Sequence, residues 1–501
     1  MPGSPAASVL AIDAGTTGVT ALVVRADGEV LGRGYAEFLQ RFPRPGWVEH
    51  EPEDIWSATL SASRAAVGAS PHAPVAVGVT NQRETAVLWD RRSLQAPRPA
   101  IVWQDRRTAE ICERLRTSGH EARVRELTGL RLDPYFTATT LTWLAEHDER
   151  AWSGVLDGSV AIGTVDSYIV ARLTAGARHV TDPSNASRTL LYDIGAGSWS
   201  GELCELFGVP LGSLPEVVAS SGELGRTDPS AFLGLDLPIA GIAGDQQAAL
   251  FGQVCFGQGQ SKCTYGTGSF VLANTGNTPV RSSAGLLTTV AWDLGDGPVF
   301  ALEGAIFVTG AAVQWLRDGL GLIDRAEEIE ALAATVPDTG GVYFVPALTG
   351  LGAPDWDPHA RGTIVGITRG TTRAHLARAT LEAIAFEVRD VVDVMVADAG
   401  IAVPELSADG GGSANDLLCQ LQADQLGVPV RRPPVTETTA LGAAFLAGLA
   451  VGLWSSTDEL AATWREDRRF EPTPGAREDG RHARWREAVS RALAWDAPRD
   501  P

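Results

Sequence analysis

Residues 8–18, SVLAIDAGTTG, end an apolar run on a carboxylate, Asp13, and then turn on Gly15, Thr16, Thr17 and Gly18. Two further apolar runs follow, 19–25 and 30–38, separated by the turn Ala26-Asp27-Gly28-Glu29. Short β-branched runs punctuated by Gly and Asp predict a strand–turn–strand–turn–strand meander. A turn that presents backbone N–H groups and two hydroxyls beside a carboxylate offers a concavity to an anion. Taken alone, it reads more simply as a hairpin turn.

Working outward, a helix is expected over 55–69 and strands over 75–80 and 85–90. The opening pattern then returns at residues 263–269, CTYGTGS, followed by strands at 270–275, 285–293 and 299–303. A long amphipathic helix (373–399), a strand (405–409), a helix (415–426) and a strand (428–432) complete a second α/β layer on a mixed sheet. Two similar halves facing one another imply a cleft, with a Gly/Thr turn on each side to clamp a polyphosphate. A third cluster, Asp409-Gly410-Gly411-Gly412-Ser413, links strand to helix and suits close backbone approach by a base and ribose. The Gly- and Gln-rich stretch 252–259 marks the boundary, giving units of residues 1–252 and 253–501 that share a broad hinge.

Composition narrows the function. Sixty-one acidic against 41 basic residues leave a net charge of −20, without the basic stripe a nucleic-acid partner requires. With 44% hydrophobic and 20% charged residues in 501, the chain can bury large cores and should form two or more domains. Five cysteines, an odd number without a C-x-x-C pair, give neither a disulfide framework nor a zinc site, and fit a reducing cytoplasm. Met1-Pro2-Gly3-Ser4-Pro5 carries no export signal. Residues 438–457 lack charge, but Glu437 and Asp458 bound them and Ala and Gly dominate, so they read as a helix inside a domain rather than a membrane span. The sole lysine, Lys262, stands in Ser-Lys-Cys, so the P-loop motif is absent. Neither an H-R-D loop nor a G-x-S-x-G elbow occurs.

The set Asp13-x-Gly15-Thr16-Thr17, Asn81-Gln82-Arg83-Glu84-Thr85, Gly244-Asp245-Gln246-Gln247-Ala248, Tyr265-Gly266-Thr267-Gly268 and Asp409-Gly410-Gly411 resembles the FGGY carbohydrate kinases. Further matches are Trp103-Gln104-Asp105-Arg106, Asp133-Pro134-Tyr135-Phe136, Asn185-Ala186-Ser187-Arg188-Thr189 and Trp356-Asp357-Pro358. They run in family order from about residue 10 to 455, and are most similar to the members that phosphorylate glycerol. The resemblance implies an α/β fold of two ribonuclease H-like (actin/Hsp70/hexokinase-type) domains with a nucleotide cleft between them. It also implies ATP-dependent phosphorylation of glycerol with Mg2+, and a homo-oligomer, dimer or tetramer.

Carried over by position, the resemblance gives Arg83, Glu84, Tyr135, Asp245 and Gln246 to the polyol hydroxyls, and Trp103 and Phe270 to its carbon chain. A small polyhydric alcohol needs such convergent polar groups with an apolar plate. Thr16, Thr17 and Thr267 would hold phosphates, Gly310 and Gln314 would lie along the nucleotide, and Gly411 and Asn415 would meet adenosine. Asp13 would organise Mg2+, and Asp245 would accept the proton of the attacking hydroxyl. Singly, Arg83–Glu84 reads as a surface ion pair, Trp103 and Phe270 as core, and Asp245 as a helix cap.

Three positions depart from the family pattern. Thr20 and Ala14 stand where Arg and Gln are usual, and Thr140 where Lys is usual, so a cation near the phosphates is lost. The loop at 226–234 lacks the Gly-rich basic character with which enteric relatives bind a sugar bisphosphate, and no His lies between His179 and His359. Two alternative readings are a kinase for another small polyol or ketose, and a non-catalytic ATP-gated scaffold.

Overall fold

The computed structural model describes residues 7–497; Met1–Pro5 and the reading placed on it lie outside them. The opening meander forms β1 (Ser8–Ala14), β2 (Gly18–Arg25) and β3 (Val30–Glu37), joined by β4 (Ala76–Asn81), β5 (Ser221–Arg226) and β6 (Pro238–Gly244). These make a sheet in the order β5-β6-β4-β1-β2-β3, with β1 parallel to β4 and β4 parallel to β6. β1 is buried along almost its whole length, whereas β3 alternates buried and exposed residues at the edge. This follows from the sequence, because a central strand covered on both faces reads as a continuous apolar run.

The second sheet contains β7 (Ser261–Tyr265), β8 (Ser269–Gly276), β9 (Leu287–Asp293), β10 (Pro298–Ile306), β11 (Leu406–Asp409), β12 (Val430–Arg432) and β13 (Arg468–Phe470). Its order is β9-β10-β8-β7-β11-β12-β13. The run β10-β8-β7-β11-β12 repeats β3-β2-β1-β4-β6 of the first sheet, with the parallel pairs in the same places. The expected strand at 85–90 is shorter, Val87–Asp90, and pairs with Val160–Gly163 outside the main sheet. It starts late because Glu84 takes a left-handed backbone, φ 63°.

Helix α1 (Pro52–Ala69) covers β2 and β3, and α2 (Asp245–Gly252) follows β6 directly. Beyond the second meander come α3 (Gly310–Gln314), α4 (Arg373–Ala399), α5 (Asp416–Leu426) and α6 (Thr438–Ala450). Along α4, Ala377, Leu381, Ile384, Val388, Val391 and Met395 are all buried in the second core, the spacing of one helical face. Ten of the thirteen residues of α6 are buried, and it packs on β1, β4 and β6 of the first sheet and on α2. A Cβ on Gly442 would lie 1.8 Å from the Ala248 carbonyl oxygen, so glycine is what lets α6 and α2 touch. Their residues form a third core that includes Leu272 and Ala301 of the second sheet. Among the described residues no helix is long and apolar enough to cross a membrane, and all five cysteines are unbridged.

Candidate active site at the junction of the sheets

The turn after β4 is where the N-terminal sheet reaches the C-terminal one. Left-handed backbone at a residue with a side chain costs about 1–2 kcal/mol, and at Glu84 it is held by three contacts. Thr85 N–H donates to the Arg83 carbonyl at 2.7 Å, Thr137 Oγ1 to the Glu84 carbonyl at 2.8 Å, and Arg188 Nε to Glu84 Oε1 at 2.7 Å. The kink turns Arg83 toward β10, where Nη1 donates to Glu303 Oε2 at 2.5 Å and Nη2 to Oε1 at 3.1 Å. Arg188 Nη2 reaches the same Oε1 at 3.0 Å. Arg83 also donates to the Tyr135 hydroxyl (3.2 Å) and the Gln247 Oε1 (3.2 Å), and its Nε lies 3.1 Å from Asp245 Oδ1.

This is a buried ionic lattice drawn from both sheets. Burial alone would raise the pKa of Glu303, but Arg188 and Arg83 outweigh it and hold the carboxyl at about 2. Glu84 goes the other way, burial pushing it up against Arg83 and Arg188. Arg83 stays charged well beyond the ordinary range because Glu303 and its other partners overcome the penalty of burial. Deleting one partner of such a lattice strands a charge, at a cost of about 3–5 kcal/mol. Arg83 and Glu84 side chains are 2% and 1% exposed, while Asp245 keeps 26%. Burial raises the Asp245 carboxyl, and Arg83 and Lys262 pull it back down.

An apolar plate completes the wall. Trp103 and Tyr135 meet edge to face with centroids 5.5 Å apart, Trp103 and Phe270 at 6.4 Å, and the Arg83 guanidinium lies 5.8 Å from the Phe270 ring. The Trp103 indole N–H donates to Thr16 Oγ1 at 3.0 Å, tying the plate to the Gly/Thr turn after β1. Gln246 is 7% exposed and accepts from Lys262 Nζ. Thus Arg83, Glu84, Trp103, Tyr135, Asp245 and Phe270 meet in one place, with Gln246 adjoining through α2.

The second turn opens into a cavity of about 330 Å³ lined by Thr267, Gly310, Gln314, Gly411 and Asn415, with Val313, Ile329, Leu381, Ile384 and Leu418 as its apolar side. That volume suits a small organic ligand. The turn is braced on α3, Gly310 N–H donating to the Gly266 carbonyl at 3.0 Å and Ala311 N–H to Thr267 at 3.0 Å. A Cβ on Gly310 would sit 2.7 Å from the Gly266 oxygen. Asn415 caps α5, its Oδ1 accepting from Leu418 N–H at 2.8 Å. Thr16 and Thr17 do not line this cavity; they belong to the turn on the opposite sheet.

Asp13 lies at the end of β1, directly opposite Thr20 in the hairpin register. Its Oδ1 is buried without a hydrogen-bond partner, and burial together with Asp245 pushes its pKa up to about 8. An orphaned buried carboxylate oxygen fits a divalent cation that keeps most of its waters and takes one protein ligand, the habit of Mg2+. Among the described residues no group of three or more His, Cys, Asp or Glu forms a cage of its own.

Three members of the lattice carry no role in the sequence reading: Glu303, Arg188 and Gln247. Glu303 offered a signal, an acidic residue inside the buried strand PVFALEGAI, and Arg188 lay in a motif used only for resemblance.

The family model for the FGGY family of carbohydrate kinases, N-terminal domain, matches residues 8–252, and that for the C-terminal domain matches residues 261–451. The chain is 55% identical to a glycerol kinase of Dechloromonas aromatica, over 97% of this chain and 98% of that one. It is 52% identical to glycerol kinase 2 of Thermotoga maritima, over 97% and 99%. Among solved structures, Plasmodium falciparum glycerol kinase with ADP superposes with a TM-score of 0.90 at 34% identity, covering 97% of this chain and 98% of that one. With both domain models matched in order and relatives above half identity along nearly its whole length, the chain belongs to the FGGY family of carbohydrate kinases.

Proposed function

We propose that the protein transfers the γ-phosphoryl group of ATP to a terminal hydroxyl of glycerol, giving glycerol 3-phosphate. The observation that carries this reading is the position of Asp245: a partly exposed carboxylate 3.1 Å from an Arg83 that Glu303 fixes from the opposite sheet. The glycerol kinases at 52–55% identity supply the substrate, and the ADP of the Plasmodium structure supplies the nucleotide class.

In this reading Arg83, Glu84, Tyr135 and Gln246 bond the hydroxyls, while Trp103 and Phe270 pack on the carbons. Asp245 accepts the proton as the hydroxyl oxygen attacks the γ-phosphorus in line. Phosphoryl transfer asks a protein mainly for alignment and charge neutralisation. Thr16, Thr17 and Thr267 hold the phosphates, Gly310 and Gln314 lie along the nucleotide, and Gly411 and Asn415 take the adenosine end. Asp13 would hold Mg2+, which neutralises phosphate charge when bound. Residues 1–252 then mainly bind the polyol and carry the first phosphate turn, and 253–501 mainly bind the nucleotide, in a cytoplasmic homo-oligomer. The test is a coupled assay of the purified protein with MgATP and glycerol, then dihydroxyacetone, xylulose and gluconate. Fastest turnover of a pentose or hexose substrate would overturn the glycerol assignment.

A further inference from the structure

Lys262 is the one lysine in the chain; every other cation among the 41 is arginine. It is 0% exposed, on the face of β7 that it shares with Thr264 by strand alternation. Cys263 and Tyr265 point the other way, into the C-terminal core. An ammonium so deep is expected to sit on a carboxylate. Among the described residues none lies within 4.0 Å of it: its partners are the Gln246 Oε1 and the Thr264 Oγ1, the latter at 2.8 Å. Gln246 is moreover in the first turn of α2, where a helix dipole disfavours a cation. Burial lowers the Lys262 pKa, while Asp409, Asp245 and Glu303 draw it back up from a distance. That attraction acts at a distance, whereas the ammonium's direct contacts are two neutral oxygens, so its particular effect falls on Gln246.

An ammonium only donates hydrogen bonds, so Gln246 must turn Oε1 toward it, which leaves its N–H2 on the side away from Lys262 to face a ligand. We propose that Lys262 is a positioning residue that fixes the Gln246 amide as a hydrogen-bond donor to the polyol, next to the acceptor Asp245. Donor and acceptor then stand on consecutive residues of α2, one for a hydroxyl oxygen and one for a hydroxyl proton. Arginine would not serve, since its planar fork is larger than the compact ammonium that one amide oxygen and one threonine hydroxyl enclose.

This inference rests on the glycerol reading, and the single lysine supplies a direct probe. Protein grown on ε-13C-lysine should give one lysine resonance, which glycerol should shift in the absence of nucleotide. Lys262→Met should raise the KM for glycerol roughly 3- to 10-fold, the value of one oriented hydrogen bond, with the KM for ATP unchanged and no loss of Tm. Gln246→Leu should raise the glycerol KM by a similar factor, at some cost in Tm because it leaves the buried ammonium with Thr264 alone, and the double variant should raise the KM no further, as for residues acting as one unit. A resonance indifferent to glycerol, or independent multiplying effects of the two substitutions, would overturn the assignment. The labelled wild type answers even where Lys262→Met fails to fold. Wild-type protein that does not turn over glycerol removes the parent reading and this one with it, whereas turnover with an unmoved resonance removes this one alone.

Discussion

The proposed polyol wall and nucleotide cavity adjoin along the β7–β8 hairpin and are built in different ways. The wall is charged side chains locked to one another: Arg83, Glu84, Arg188 and Glu303, none more than 3% exposed. The cavity is mainly glycine backbone and aliphatic side chains with the amides of Gln314 and Asn415, and its charged residues, Arg317, Glu327 and Glu330, are not locked into a buried lattice. On the proposed reading, the difference reflects what each ligand offers. A three-carbon alcohol presents little besides hydroxyls, so it is recognised by partners already fixed in place. A nucleotide is large enough to be held by shape, backbone N–H groups and apolar area.

If that contrast is right, substitutions in the wall should act on chemistry and glycerol, and substitutions in the cavity on ATP alone. Asp245→Asn should have the largest effect, lowering kcat by roughly 10²–10⁴ as expected for a positioned base, with nucleotide binding by calorimetry unaltered. Turnover close to normal would remove Asp245 from that role. Glu303→Gln should cost about 3–5 kcal/mol of stability in urea unfolding by stranding two guanidiniums, and should weaken glycerol use more than ATP use. An equal loss for both substrates would erase the contrast. Gly310→Val should cost about 1–3 kcal/mol of nucleotide affinity through the clash with the Gly266 carbonyl, leaving glycerol binding intact.

Acidity sharpens the comparison further. Glu303 sits at about 2 in the folded chain against an ordinary 4.5, so the unfolded chain binds the extra proton between those values. Its stabilisation is complete above pH 4.5 and is lost as pH falls toward about 2. Unfolding free energies measured across that window should fall less steeply in Glu303→Gln than in wild type. The smallest effect is expected where the wall meets the turn after β1: Trp103→Phe loses the bond to Thr16, about 0.5–1.5 kcal/mol, seen as weaker dependence of the ATP KM on glycerol. Identical dependence in both proteins would mean that the indole is only a plate.

Local patterns made much of this readable beforehand. The two meanders, the long helix now bounded at Arg373–Ala399 and the Gly/Thr turns all announce themselves within a few residues. Strand β6 does not announce itself, because PIAGIAG has few side chains with a strand preference. The lattice was hidden for a different reason. Arg188 and Glu84 are 104 residues apart and Arg83 and Glu303 are 220 apart, distances over which no periodicity speaks. The family motif located Arg83 and Asp245, but the residue that holds Arg83 still comes from the other sheet. In the sequence Lys262 signals only that a P-loop is missing; its bond to Gln246, 16 residues away, arises from the fold.

The placement of α6 bears on how the chain is made. β1, β4 and β6 are synthesised within the first 244 residues, yet the helix that covers them ends at Ala450. On the ribosome the apolar back of the first sheet must therefore wait, uncovered, through some two hundred further residues of translation before its own roof emerges. A nascent chain cut short before that point would present a bare sheet face to chaperones and proteases, and neither half is expected to persist as a free-standing fragment.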